Sequence, residues 1–226
     1  MRDFFNKIYH RYKTTILFWL DLALNLIFVL VTVYIIRTFI VSLFIVSGPS
    51  MCDTLNQIYG QCQRGNGEII VVNKAVYQNF LGLRKIDSPK RGDIIVFHPP
   101  RNPDEFFIKR VIGLPGETVR LKNGEVYIGD KKNPQGFKIE EPYLNEKNRD
   151  NTQPFRESDT IFKIPEDGYF VLGDNRIASS DSRSCFKESI MSGGCGQGEN
   201  TPFLKLKNIE GKAWIVLWPI NKLGFL

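Results

Sequence analysis

The stretch FFIKRVIGLPGETVRLKNGEVYIG, from Phe106 to Gly129, decides how this chain folds. Phe, Ile and Val crowd between glycines and a proline, which is the composition of strands broken by turns. The runs beginning at Phe106, Glu117 (ETVRL) and Glu125 (EVYIG) each read as a strand. Between the last two, Asn123-Gly124 supplies the positive φ angles that a tight hairpin demands. The same texture recurs outward in both directions, as IIVVN from Ile69, DIIVF from Asp93, YFVLG from Tyr169 and KAWIVLW from Lys212. No segment after residue 37 has the length and 3.6-residue period of a helix. The expected fold class is mainly β: an antiparallel sheet domain with a smaller β-rich region inserted peripherally at about 117–167, preceded by one transmembrane helix. Within the insertion, residues 133–159 (NPQGF, NEKNRDNTQPF) lack periodicity and are expected to form a partly mobile elaboration away from any chemistry.

That helix is ILFWLDLALNLIFVLVTVYII, Ile16 to Ile36, long enough at 1.5 Å per residue to cross a hydrocarbon core roughly 30 Å thick. Arg2, Lys7, Arg11 and Lys13 precede it against a lone acidic residue, Asp3, and Arg37 follows. Basic residues on the near side place the amino terminus inside and everything after the anchor outside. The expected division is a basic cytoplasmic start at 1–15, a single-pass anchor in the cytoplasmic membrane at 16–37 and an extracytoplasmic domain at 38–226. Asp21 is expected at the interface with Asn25, one turn later, tolerated within the span, or the two form a polar face buried against another helix. A cleavable signal peptide competes with this reading, but its apolar core would be too long, and the nearest small-residue site, Val46-Ser47-Gly48, is followed by Pro49. The run from Phe39 to Val46, FIVSLFIV, is either a buried first strand or a surface dipping into the outer leaflet.

The net charge of +6 over 226 residues is mild, and no dense basic run or aromatic-basic interleaving marks a nucleic-acid partner. Cys52, Cys62, Cys185 and Cys195 fall in two equally spaced pairs on the side assigned to the outside, where disulfides persist. Local pairing, Cys52 with Cys62 and Cys185 with Cys195, is the preferred connectivity. Zinc binding is the alternative, though its ligand pairs usually sit two to four residues apart. No metal and no cofactor are expected.

Three segments carry candidate chemistry: Ser47-Gly48-Pro49-Ser50-Met51, the run from Phe107 to Gly116, and Gly173-Asp174-Asn175-Arg176 leading to Ser179-Ser180-Asp181-Ser182-Arg183. A serine hydroxyl is a poor nucleophile until a base takes its proton. Lysine serves as that base when desolvation lowers its pKa, and Lys109 lies in a strongly apolar strand. Arg110 cannot serve, because a guanidinium keeps its proton. Of the two histidines, His10 lies before the anchor and His98 reads as a surface residue at a strand end.

SGPSM, RGDIIVF, IKRVIGLPGE and GDNR followed by S.DSR, in this order after an amino-terminal anchor and closed by AWIVLWPINKLGFL, resemble the sequence boxes of type I signal peptidases. The resemblance implies a serine endopeptidase that acts on precursors bearing signal peptides, with nucleophile Ser50 and general base Lys109. It also implies that Ser179 hydrogen-bonds the Lys109 amine, that Asp181 and Arg183 form a supporting ion pair, and that Gly48, Pro49 and Met51 line the substrate groove and oxyanion site. Two positions depart from the pattern. Gly48 stands where some members carry an oxyanion-holding serine, and Asp53 replaces a proline, so the loop carrying Ser50 is expected to be held by a disulfide instead. A catalytically dead relative would lack Ser50 or Lys109, whereas a protease with one dedicated substrate would look the same in sequence.

Overall fold

The computed structural model describes residues 2–52, 54–58, 61–77, 87–100, 102–186 and 201–226. The chain divides into two units, Met1–Val41 and Ser42–Leu226. In the first, helix α1 (Arg2–Ile35) runs into a π-helical turn at Ile36–Ile40, and Thr15–Ile40 is long and apolar enough to cross a membrane. Asn25 donates from Nδ2 to the Asp21 carbonyl at 2.9 Å, and Thr32 from Oγ1 to the Phe28 carbonyl at 2.8 Å. Both polar groups thus find acceptors within their own helix, which lowers the cost of placing them in hydrocarbon.

The second unit is built on β1 (Val41–Ser47), β2 (Gln57–Ile58), β3 (Gln61–Cys62), β4 (Asn66–Asn73), β5 (Ile94–Phe97), β6 (Phe107–Gly113), β7 (Thr118–Lys122), β8 (Glu125–Gly129), β9 (Phe137–Lys138), β10 (Ile161–Lys163), β11 (Gly168–Leu172), β12 (Leu204–Lys205), β13 (Ile209–Trp218) and β14 (Gly224–Phe225). An eight-stranded sheet has the order β1-β4-β13-β5-β6-β11-β12, with β14 added to β13. Neighbours from β4 to β12 are antiparallel. A four-stranded antiparallel sheet, β10-β7-β8-β9, is inserted between β6 and β11, which pair with each other in the main sheet. The architecture is the mainly antiparallel one that the strand pattern predicts. Beyond α1 and its π-turn, the only helical segments among the described residues are short 3-10 turns.

The central strands β5 and β11 read as continuous apolar runs because both of their faces are covered. Along β5, Ile94 and Val96 pack with Val46, Met51, Ile70 and Val72, whereas Ile95 and Phe97 turn to Val111, Tyr169 and Val171. Along β11, Phe170 and Leu172 face the other way and join Ile112 to the core of the inserted sheet, formed by Val119, Leu121, Val126, Ile128 and Phe162. Period-two alternation therefore joins three clusters through two strands. In β1 one face is buried through Val46 while Leu43 and Ile45 stay exposed, so the first strand is partly core and partly open apolar surface. Leu217, Trp218, Ile220 and Phe225 are exposed as well.

The β7–β8 hairpin turns at Asn123 (φ 54°) and Gly124 (φ 80°), as the dipeptide predicts. A Cβ on Gly124 would stand 1.8 Å from the Asp150 carbonyl oxygen, and Thr152 N–H donates to the Gly124 carbonyl at 2.8 Å. Gly124→Ala combines a disfavoured φ with a backbone clash, and it is expected to cost more than about 1 kcal/mol of stability, read as a lowered denaturation midpoint.

Candidate active site

Ser50 lies in the turn that follows β1, and three constraints hold that turn. Cys52 is disulfide-bonded to Cys62, the expected pairing. Cys185 is also disulfide-bonded, while its expected partner Cys195, like Asp53, lies outside the described residues. Asn56, in the left-handed region at φ 60°, donates from Nδ2 to the carbonyls of Gly48 and Gly65, each at 2.9 Å. Its N–H donates at 2.6 Å to the buried Glu68 carboxylate, which Lys222 contacts from the other side at 2.5 Å. Asn175 donates from its N–H to the Ser50 carbonyl at 3.1 Å and from Nδ2 to the Pro49 carbonyl at 3.0 Å.

Lys109 reaches the turn from β6, where it pairs with Ile95 of β5. Its Nζ lies 2.8 Å from Ser50 Oγ and 2.8 Å from the Ile108 carbonyl oxygen, and the residue is only 3% exposed. Burial lowers its pKa from the usual lysine value to about 8, against the opposing pull of the Asp181 and Asp174 carboxylates.

Those carboxylates are held by arginines. Arg110 grips Asp174 with Nε to Oδ1 at 2.8 Å and Nη2 to Oδ2 at 2.6 Å, beneath the ring of Tyr143 at 3.9 Å. Arg183 grips Asp181 through Nε to Oδ1 at 2.9 Å and Nη2 to Oδ2 at 2.8 Å. Burial alone would raise the Asp181 carboxyl, but Arg183 and the Gly173 N–H hold it below the usual carboxylate range. The ion pair implied by the resemblance is therefore present.

Ser179 is placed differently from its predicted role. Its Oγ is buried and has no hydrogen-bond partner among the described residues, lying close to the Asp181 carboxylate without reaching hydrogen-bond geometry, while the Lys109 amine bonds Ser50 and Ile108. The approach of Ser179 to the Ser50 turn depends on Gly173, since a Cβ there would stand 2.2 Å from Ser179 Oγ and 2.4 Å from the Ser50 carbonyl oxygen. Of the groove residues, Pro49 and Ser50 line an open, largely apolar groove of about 350 Å³ together with Phe44, Ile70, Phe106 and Ile108. Gly48 presents its carbonyl to Asn56, and Met51 is fully buried in the core beneath the turn.

The aperiodic stretch 133–159 is not remote from this centre. Tyr143 stacks on Arg110, Glu141 accepts from Arg176 at 3.0 Å, and the Gln153 carbonyl accepts from Arg183 at 3.1 Å. These contacts and the bonds of Asn175 and Asn56 were not foreseen from sequence. The available signal was GDNR, a polar tetrapeptide placed directly after a wholly apolar strand.

The family described as "Signal peptidase, peptidase S26" matches residues 19–218. Signal peptidase I of Bacillus amyloliquefaciens is 34% identical over 207 residues, covering 90% of this chain and 90% of that one. Signal peptidase I S of Bacillus subtilis (strain 168) is 34% identical over 215 residues, covering 93% and 94%. A crystallised signal peptidase I from Enterococcus faecalis V583 is 34% identical, covers 56% of this chain and 97% of its own, and has a TM-score of 0.38.

Arg110→Met leaves Asp174, which has 0% exposure, without its bidentate partner. Breaking such a buried pair is expected to cost about 3–5 kcal/mol, measured by chemical denaturation.

Proposed function

This chain belongs to the signal peptidase family, peptidase S26, and is a serine endopeptidase that removes signal peptides; on that premise we propose that it does so through a Ser50/Lys109 dyad and an acyl-enzyme, on the outer face of a membrane. The observation that carries the dyad is the 2.8 Å approach of a buried, desolvated amine to a seryl oxygen. No histidine is needed, because the neutral amine can accept the Ser50 proton directly.

In the proposed reaction, Ser50 Oγ attacks the scissile carbonyl as Lys109 takes its proton. The developing oxyanion is met by the Ser50 backbone N–H, since Gly48 offers no hydroxyl. The Lys109 ammonium then protonates the leaving amine, which becomes the new amino terminus of the mature protein. Lys109 next takes a proton from water, which attacks the acyl-enzyme and frees Ser50. The Ile108 carbonyl anchors the amine, and the Ser179 hydroxyl, without a hydrogen-bond partner among the described residues and packed with Gly173 beside the Ser50 turn, turns to orient it as the charge changes. The signal peptide lies in the groove between β1 and β6 as an extended strand, with small residues at the first and third positions before the cut.

Support for the membrane setting comes from the span Thr15–Ile40, the basic residues before it, and the exposed Leu43, Ile45, Trp218 and Phe225. Sharing one bilayer with the precursor raises the effective concentration of each for the other.

The direct test is cleavage of a model secretory precursor in detergent, with the new amino terminus sequenced. Wild type is expected to cut after a small-x-small motif, and Ser50→Ala and Lys109→Ala to lose at least about a thousandfold in kcat. Activity surviving either change would overturn the dyad. The base acts only when deprotonated, so kcat/KM is expected to fall with acid below the Lys109 pKa of about 8 and to level off above it. Gly173→Ala, which crowds Ser179 against the Ser50 turn, is expected to lower kcat about a hundredfold.

A further inference from the structure

Beside the groove at Ser50 lies a second one of about 460 Å³, which shares Ala178 and Ser180 with the first and has Ser179 in its wall. We propose that this second groove receives the mature side of the precursor and favours an apolar side chain, held between Phe155 and Ile177, within the first few residues after the cut. The inference rests on the reading of Ser50 as nucleophile.

A chain bound for cleavage must approach the nucleophile from one side and depart on the other. The first groove is walled by β1 and β6, and among the described residues the 177–184 side continues past Ser50 and Lys109 through Ala178 and Ser180, which line both grooves. The leaving amine must also stay within reach of Lys109 to be protonated, and Ser179, brought against the Ser50 turn by Gly173, marks that side.

The lining fixes the chemistry. Its two cations are already paired, Arg176 with Glu141 and Arg183 with Asp181, so the described lining offers a charged side chain no unmatched partner. Asn151, Gln153 and Ser180 present neutral hydrogen-bonding groups suited to a main chain, while Phe155 (43% exposed) and Ile177 (63% exposed) present apolar area. The wall at 151–155 is fastened to the catalytic loop, because the Gln153 carbonyl accepts from Arg183 and Thr152 from Arg176. A fastened wall loses little entropy when a chain settles against it.

Two peptides with the same signal half test this, one with leucine and the other with serine at the second and third positions after the cut. Both give the same acyl-enzyme, so selection on the departing half acts on acylation and is read in kcat/KM. Full-length wild type in detergent is expected to prefer leucine about tenfold, the scale of one apolar contact. Ile177→Ser and Phe155→Ser are expected to bring that ratio towards one, whereas Ile161→Ser, an exposed site in β10, is expected to keep it. A wild-type ratio of one, or a ratio unchanged in both groove variants, overturns the proposal while leaving the dyad intact. Failure to cut either peptide after the small-x-small motif overturns the dyad reading and this one with it.

Discussion

Everything around Ser50 is arranged so that one amine can be kept out of water. A lysine in solvent is protonated at neutral pH and useless as a base. Here the walls of β1, β5 and β6 desolvate Lys109, and desolvation outweighs the pull of two nearby carboxylates. The constraint runs both ways. The site needs rigid polar groups to hold the Ser50 turn, yet any bare carboxylate among them would return the charge to the lysine.

Arginine resolves that conflict. A guanidinium stays charged and matches a carboxylate with two parallel bonds, so Arg110 and Arg183 occupy the oxygens of Asp174 and Asp181. Buried pairs of this kind add little net stability, but they give direction to the backbone beside them. Asp174 is followed by Asn175, which clamps Pro49 and Ser50, and Asp181 receives the N–H of Gly173, where the loop packs against the Ser50 carbonyl. The ion pairs thus fix the geometry, and the apolar strands fix the basicity.

The strands were legible because sequence carries their signal locally. Apolar runs broken by glycine and proline, and Asn123-Gly124 at a hairpin, need no distant partner to be read. The pairing of Ser50 with Lys109 was proposed from a serine in a Gly-Pro turn, a lysine in an apolar strand and the resemblance of the segments around them, and the Cys52–Cys62 bond was legible from the two equally spaced cysteine pairs. What escaped was long-range. Residues 133–159 have no period because their order comes from turns and from arginines elsewhere in the chain, as when Glu141 meets Arg176, and nothing within the segment announces those partners. The Ser179 hydroxyl was expected on the lysine, but the Ile108 carbonyl, supplied by the strand itself, takes the amine instead.

The Asn56, Glu68 and Lys222 network bears on when this molecule becomes active during its own synthesis. Ser50 is made early, yet Asn175, which positions it, comes far later, and Lys222, which steadies Glu68 under the same turn, later still. A chain emerging amino end first would carry Ser50 long before the groups that hold its turn in place. Order of translation alone would then keep a half-made peptidase from cutting the precursors, or the nascent chains, that surround it.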